Sequence, residues 1–231
     1  MTGEQNTPPI YAVIVAGGQG TRMGMTLPKQ FLELDGKPIL FYTIRAFVKA
    51  LPQAKIILVL PENEISKLQM VLQHFSEQID LTVVAGGTTR FESVQNGLKG
   101  LPADSIILVH DGVRPFISES LIKNCVQEAL QSGSAIPAIK VIDSVRVINA
   151  NGSNPINRDL LRIIQTPQTF KGNILLPAFE QAYQSNFTDE ATVVENMGYS
   201  VTLIEGDKNN IKITTPEDMV LAESLIQGKN L

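Results

Sequence analysis

Residues 11–31, YAVIVAGGQGTRMGMTLPKQF, run from a five-residue apolar segment straight into a glycine-rich loop. The loop carries two cations, Arg22 and Lys29, and no acid, histidine or cysteine. A P-loop requires Gly-Lys-Ser/Thr after its first glycine, and that triplet is missing. A dinucleotide fingerprint requires G-x-G-x-x-G; Gly18 and Gly20 begin one, but Met23 occupies the place of the third glycine. The physics shared by those motifs survives. Glycines let backbone N–H groups converge on an anion, and Arg22 and Lys29 add a bidentate fork and a point charge. A strand-to-helix turn bearing two solvated cations is the lesser alternative for the loop by itself.

Outward from this stretch, β-rich runs alternate with helical patterns. KIILVLP (55–61), LTVVAGG (81–87) and SIILVHD (105–111) read as buried strands. KPILFYTIRAFVKAL, NEISKLQMVLQHF, FESVQNGLKGL and SESLIKNCVQEALQSG read as the helices between and after them, with Ser118 an N-cap. Continuous Val/Ile/Leu strands separated by helices predict a mostly parallel sheet covered on both faces, in one domain spanning 1–231. The loops after the strands then share one edge, where such sheets hold ligands.

The alternation breaks at 134–170. Two β-type runs flank the turn signal NANGSN, predicting a hairpin arm at about 137–160 whose apolar positions Ile139, Val141, Val145 and Val147 need a partner's cover. Helix, strand and helix return in FTDEATVVENMG, SVTLIEGD and TTPEDMVLAESLI. Thr188 and Thr215 read as N-caps, and Asp189, Glu190, Glu217 and Asp218 as first-turn acids serving the helix dipole.

Composition bounds the function. The chain has 231 residues, 43% of them hydrophobic, a formal charge of −4 and one cysteine. That excludes a broad nucleic-acid surface and an internal disulfide, and no apolar run is long enough to span a membrane. A reducing cytoplasm is the expected compartment. Cys125 reads as a core residue, His74 as a helix-surface residue and His110 as a strand-end packing residue. With no nucleophile–base pair and no cluster of metal ligands, the inventory favours reactions driven by positioning and charge. Nucleotidyl transfer fits, since a phosphate monoester is already largely dianionic at neutral pH, its second pKa being about 6, and needs no base to attack an α-phosphate.

The set AGGQGTRM…PKQF, GGTTRFESV, HDGVRPF, QTPQTF, TDEATVVENMG and NIKITTPEDM resembles the 2-C-methyl-D-erythritol 4-phosphate cytidylyltransferases, in order, from about Tyr11 to Ile226. The resemblance implies a Rossmann-like nucleotidyltransferase fold with a projecting β-hairpin dimerisation arm, Mg²⁺ as cofactor, and CTP and a polyol phosphate as substrates. It implies that Arg22 and Lys29 stabilise the transition state, and that Arg158 and Lys212 hold the acceptor phosphate. Ala16, Gly17, Gly18, Gly86, Gly87, Thr88 and Ser93 would bind the nucleotide. Asp111, Arg114 and Thr166 would lie by the ribose and the acceptor, Asp111 being also the nearest candidate for a metal. Thr88 and Gly112 depart from the family pattern, which has an acid and an alanine there. The ribitol-5-phosphate cytidylyltransferases share several segments, and a non-catalytic nucleotide sensor on the same fold is the alternative of another class.

Overall fold

The computed structural model describes residues 7–17 and 27–228. Gly18 and Arg22 therefore lie outside the described residues. The chain opens with β1 (Ile10–Val15), followed beyond the glycine loop by a 3-10 turn at Lys29–Phe31 and a small ribbon of β2 (Glu33–Leu34) and β3 (Lys37–Pro38). Next come α1 (Ile39–Ala50), β4 (Lys55–Leu60), a 3-10 stretch at Glu62–Leu68, α2 (Gln69–Leu72), β5 (Leu81–Ala85), α3 (Arg90–Leu98), β6 (Ile106–Asp111) and α4 (Glu119–Ser132). The second half holds β7 (Ser134–Lys140), β8 (Val145–Asn149), β9 (Gly152–Ile156), a 3-10 turn at Arg158–Leu160, β10 (Arg162–Ile164) and β11 (Gln168–Lys171). It ends with α5 (Gly172–Ala178), α6 (Glu190–Glu195), β12 (Leu203–Glu205) and α7 (Pro216–Gly228).

The main sheet runs β10-β7-β11-β6-β1-β4-β5, with β12 also on β7. β1 pairs in parallel with both β4 and β6, so chain direction across the sheet reverses at β1 and opens a crevice beyond its carboxyl end. Strand alternation divides the core. Ala12, Ile14, Leu58 and Leu108 join α1, α4 and α7 on one face. Val13, Val15, Val59 and Val109 join α3, α5 and α6 on the other. Gly97 lets α3 lie close to the sheet, since a Cβ there would come within 2.7 Å of Val13 Cγ1 and 2.8 Å of Val59 Cγ2.

Several local expectations need correction. NEISKLQMVLQHF opens as 3-10 and holds only the short α2, and His74 lies half-buried just past α2, edge-on to Phe41. The N-cap of α6 is Asp189, one residue beyond Thr188, and its carboxylate accepts from Thr192 N–H. Ser118 does cap α4, accepting from Leu121 N–H, and Thr215 accepts from Asp218 N–H at the start of α7. β11, inside QTPQTF, runs antiparallel between β6 and β7. Cys125 is enclosed, and burial pushes its thiol up to about 12, which suits a core residue and disqualifies a nucleophile.

The arm leaves the sheet after Lys140. β8 and β9 pair with each other from Val145↔Ile156 to Asn149↔Gly152, closed by a two-residue turn, and β10 returns antiparallel on β7. Ile139, Val141 and Val145 are half-buried within the one subunit, so the uncovered apolar set differs from the expected one. It comprises Ile142, Val147, Ile148, Leu160 and Ile163, with Ile148 85% exposed.

Candidate active site

The crevice at the carboxyl end of β1 is a cavity of about 290 Å³. From the β1 end and the turn that follows come Ala16, Gly17, Lys29 and Gln30; from the β5–α3 loop come Gly87 and Thr88, and from the first turn of α3 Arg90 and Ser93; Asp111 and Lys212 close it. The same loop is set by local chemistry. Thr89 caps α3 in a reciprocal box with Glu92, and the Glu92 carboxylate also accepts from the N–H and hydroxyl of Thr88 at 2.7 and 2.6 Å. Those bonds, the Thr88 hydroxyl first, lower the Glu92 carboxyl. Ser93 accepts from Gly87 N–H at 3.1 Å and donates to Thr89 C=O at 2.9 Å, so its hydroxyl shapes the turn. Gly86 lies just behind, donating to Leu60 C=O. Gly112 also has a packing reason. A Cβ there would sit 2.8 Å from Ala16 Cβ and 3.2 Å from Leu40 Cδ1.

Asp111 is the electrostatic centre. Its Oδ2 faces Lys212 Nζ at 3.0 Å and Arg114 Nε at 3.2 Å, while Oδ1 faces Arg90 Nη2 at 3.5 Å. Burial pushes this carboxyl up, but Arg90, Lys212 and Arg114 outweigh it and hold it far below the usual carboxylate range. Arg114 also donates to Asn210 C=O at 2.8 Å. Thr166 lies beneath: its hydroxyl accepts from Asp111 N–H at 3.1 Å and sits 3.0 Å from His110 Nδ1. That hydroxyl has one proton, which His110 Nδ1 receives, so His110 keeps its proton on Nε2 and donates it to Arg114 C=O. Burial pushes His110 down to about 3, leaving the ring neutral. Thr166 therefore acts on the cavity mainly by fixing Asp111 and Arg114.

Three residues of the site escape sequence reasoning: Arg90, Glu190 and Gln30. Glu190, read as a first-turn acid, is wholly enclosed and forks onto Arg90, which is 100 positions away in the chain. Burial would lower Arg90, but Glu190 and Asp111 more than compensate and hold it above its ordinary value. Gln30 is buried with neither amide atom hydrogen-bonded among the described residues, a group left for a ligand or water to satisfy. Its position beside Lys29 in PKQF was the available signal.

Arg158 is the exception. It lines a separate cavity with Lys140, Ile142, Asp159 and Arg162, and its guanidinium donates to Ile142 C=O. Within one subunit the structure does not bring it to Lys212.

The sequence profile of 2-C-methyl-D-erythritol 4-phosphate cytidylyltransferase matches residues 10–228. The chain belongs to that family. It is 43% identical over 215 residues to the cytidylyltransferase of Bacteroides fragilis, covering 93% of this chain and 98% of the relative. It is 45% identical over 217 residues to that of Azobacteroides pseudotrichonymphae, covering 94% and 98%. The crystal structure of 4-diphosphocytidyl-2C-methyl-D-erythritol synthase from Anaerococcus prevotii superposes with a TM-score of 0.82 at 30% identity, over 95% of this chain and 96% of the other. The cytidylyltransferase of Thermus thermophilus gives a TM-score of 0.75 at 30% identity, over 96% and 99%. The family's members are nucleotidyltransferases, and their fold is the mostly parallel sheet with helices on both faces described above.

Proposed function

We propose that this chain transfers CMP from CTP to 2-C-methyl-D-erythritol 4-phosphate, releasing pyrophosphate, in isoprenoid precursor biosynthesis. The observation that carries the chemistry is the cluster around Asp111, where three cations converge beside a cavity that also holds Lys29. An acceptor phosphate oxygen attacks the α-phosphorus of CTP; that P–O bond forms as the bond to the pyrophosphate oxygen breaks. Neither proton removal nor a covalent enzyme intermediate is required. The obstacle is repulsion between two polyanions and charge building at the α-phosphate, which fixed cations offset. We assign Lys29, with Arg22 of the glycine loop, to the triphosphate and transition state. Lys212 and Arg114 take the acceptor phosphate. Ala16, Gly17 and the Gly87–Thr88 turn surround the nucleoside.

Among the described residues no three His, Cys, Asp or Glu side chains gather in a metal-binding group. Asp111, the one acid lining the cavity, is already matched by cations. These side chains do not build a metal cage. We therefore assign Mg²⁺ to the nucleotide's own phosphate oxygens, entering as the magnesium salt of CTP. We further infer a homodimer through the arm, supported by the exposed Ile142, Val147, Ile148, Leu160 and Ile163 and by the separation of Arg158 from the main cavity. In that dimer Arg158 serves the neighbour's site. We also infer a cytoplasmic location, supported by the single, enclosed cysteine; no described helix is long and apolar enough to cross a membrane.

Pyrophosphate release with CTP, Mg²⁺ and each polyol phosphate in turn tests the reading. Turnover with the methylerythritol phosphate and little with ribitol 5-phosphate is expected; the reverse preference would move the chain to the sister activity. EDTA should stop the reaction.

A further inference from the structure

Arg90 begins α3 and Glu190 begins α6, on the face of the sheet where Phe91, Val94, Ala191, Val193 and Val194 make an apolar core. Glu190 is the charged group in that setting, fully enclosed. An enclosed carboxylate costs several kcal/mol unless a partner matches it well, and packing alone is served as well by an apolar side chain. The match here is a fork: Arg90 Nη1 meets Oε1, and Nη2 meets Oε2 at 3.2 Å. The α6 end is itself clamped, because Gln168 of β11 donates to Asp189 at 2.9 Å and accepts from Ala191 N–H at 2.7 Å. The guanidinium so fixed also reaches Oδ1 of Asp111 at the cavity wall, 3.5 Å from Nη2.

The two oxygens of Asp111 are thereby divided. Oδ1 faces Arg90 and Oδ2 faces Arg114 and Lys212. Resting on the function proposed above, we propose that Arg90 and Glu190 form a positioning unit that orients the Asp111 carboxylate, so that Lys212 and Arg114 are presented to the acceptor phosphate. Without the unit the carboxylate is free to turn and draw both cations onto its two oxygens, away from the incoming phosphate. The nucleotide's cradle at Gly17 and Lys29 is built by other elements, and Gly87 is held by its bond to Ser93 rather than by Arg90 or Glu190, so the cradle stays as it is.

The test is the double variant Arg90→Met/Glu190→Leu, because replacing a buried ion pair by apolar side chains of similar size is often neutral or stabilising. Calorimetry with CTP and steady-state pyrophosphate release are the readouts. The expected outcome is a folded dimer, CTP affinity within about threefold of wild type, and kcat/KM for the methylerythritol phosphate lowered by about tenfold or more, carried by KM. A folded double variant with wild-type acceptor KM would make the pair a structural ion pair and overturn the proposal. An equal loss of CTP affinity would also overturn it, making Arg90 a nucleotide contact. Should the double variant not fold, Arg90→Lys decides: it keeps the charge for Glu190 but lacks the fork, so acceptor KM rises if the proposal holds and is unchanged if it fails. The wild-type enzyme, run alongside, separates the two readings. No turnover by wild type with the methylerythritol phosphate sinks the functional assignment; wild-type turnover matched by the variants sinks this inference alone.

Discussion

The strand-end cavity and the arm both carry cations suited to phosphate, and they hold them in opposite ways. Lys212 and Arg114 stand beside a buried acid, with a second enclosed acid behind Arg90 and a neutral histidine behind Thr166. Arg158 lies on an exposed turn, its guanidinium on a main-chain carbonyl, among apolar side chains that nothing in the subunit covers. Charges held by matched, enclosed partners are pre-positioned and cost little reorganisation when substrate arrives. A charge on an uncovered arm acquires its geometry only from whatever docks there. On the reading proposed above, the first region holds its charges ready and the second waits for a partner subunit.

The comparison is broken most severely at Lys29, which is 9% exposed at the cavity wall. Lys29→Ala should lower kcat by about 10²–10³, some 3–4 kcal/mol of transition-state stabilisation, with a smaller rise in KM for CTP. A change in KM alone would reduce the loop to a binding cradle. The arm comes next. Replacing 141–157 by a short turn should give a monomer by light scattering that binds CTP normally and loses about a hundredfold in acceptor turnover. A monomer with full activity would contradict the dimer's role.

The buried support under the cavity predicts an acid-side loss of stability. His110 titrates at its ordinary 6.5 when unfolded and at about 3 when folded. Between those values only the unfolded chain binds the proton, so stability is complete above 6.5 and falls as pH drops below it, by roughly 1.4 kcal/mol per unit. Asp111, whose folded carboxyl is depressed, adds a loss of the same sign only nearer the ordinary carboxylate range of about 4, while Glu190, raised by burial, acts with the opposite sign, so the histidine's share of urea unfolding between pH 6.5 and 5 is read as the difference from a His110 variant. His110→Gln should flatten that slope. The smallest effect belongs to the rim: Thr89→Ala removes the α3 cap and should cost about 1 kcal/mol in unfolding free energy.

The sequence made the parallel core legible because buried strands such as KIILVLP and SIILVHD state both their period and their length, and Ser118 announces its helix. The turn residues placed the hairpin for the same reason. β11 was hidden, since an antiparallel strand of four residues between β6 and β7 carries no local signal. Glu190 does stand in the first turn of α6, but its fork onto Arg90 was hidden, because a first-turn acid looks the same in sequence whether it faces water or a guanidinium 100 residues away. Which arm residues stay uncovered was likewise a matter of tertiary packing. Return pairing of β10 on β7 covers Ile139 in part and leaves Ile163 on the outside.

Service of the neighbour's cavity by Arg158 is measured by mixing two inactive variants, Lys29→Ala and Arg158→Ala, after reversible dissociation. If Arg158 serves the neighbour's cavity, half of the randomly paired dimers contain one intact site, and pyrophosphate release should return to about a quarter of the wild-type rate. If Arg158 acts within its own subunit, every site in the mixture lacks one of the two cations and the rate stays at that of the parent variants.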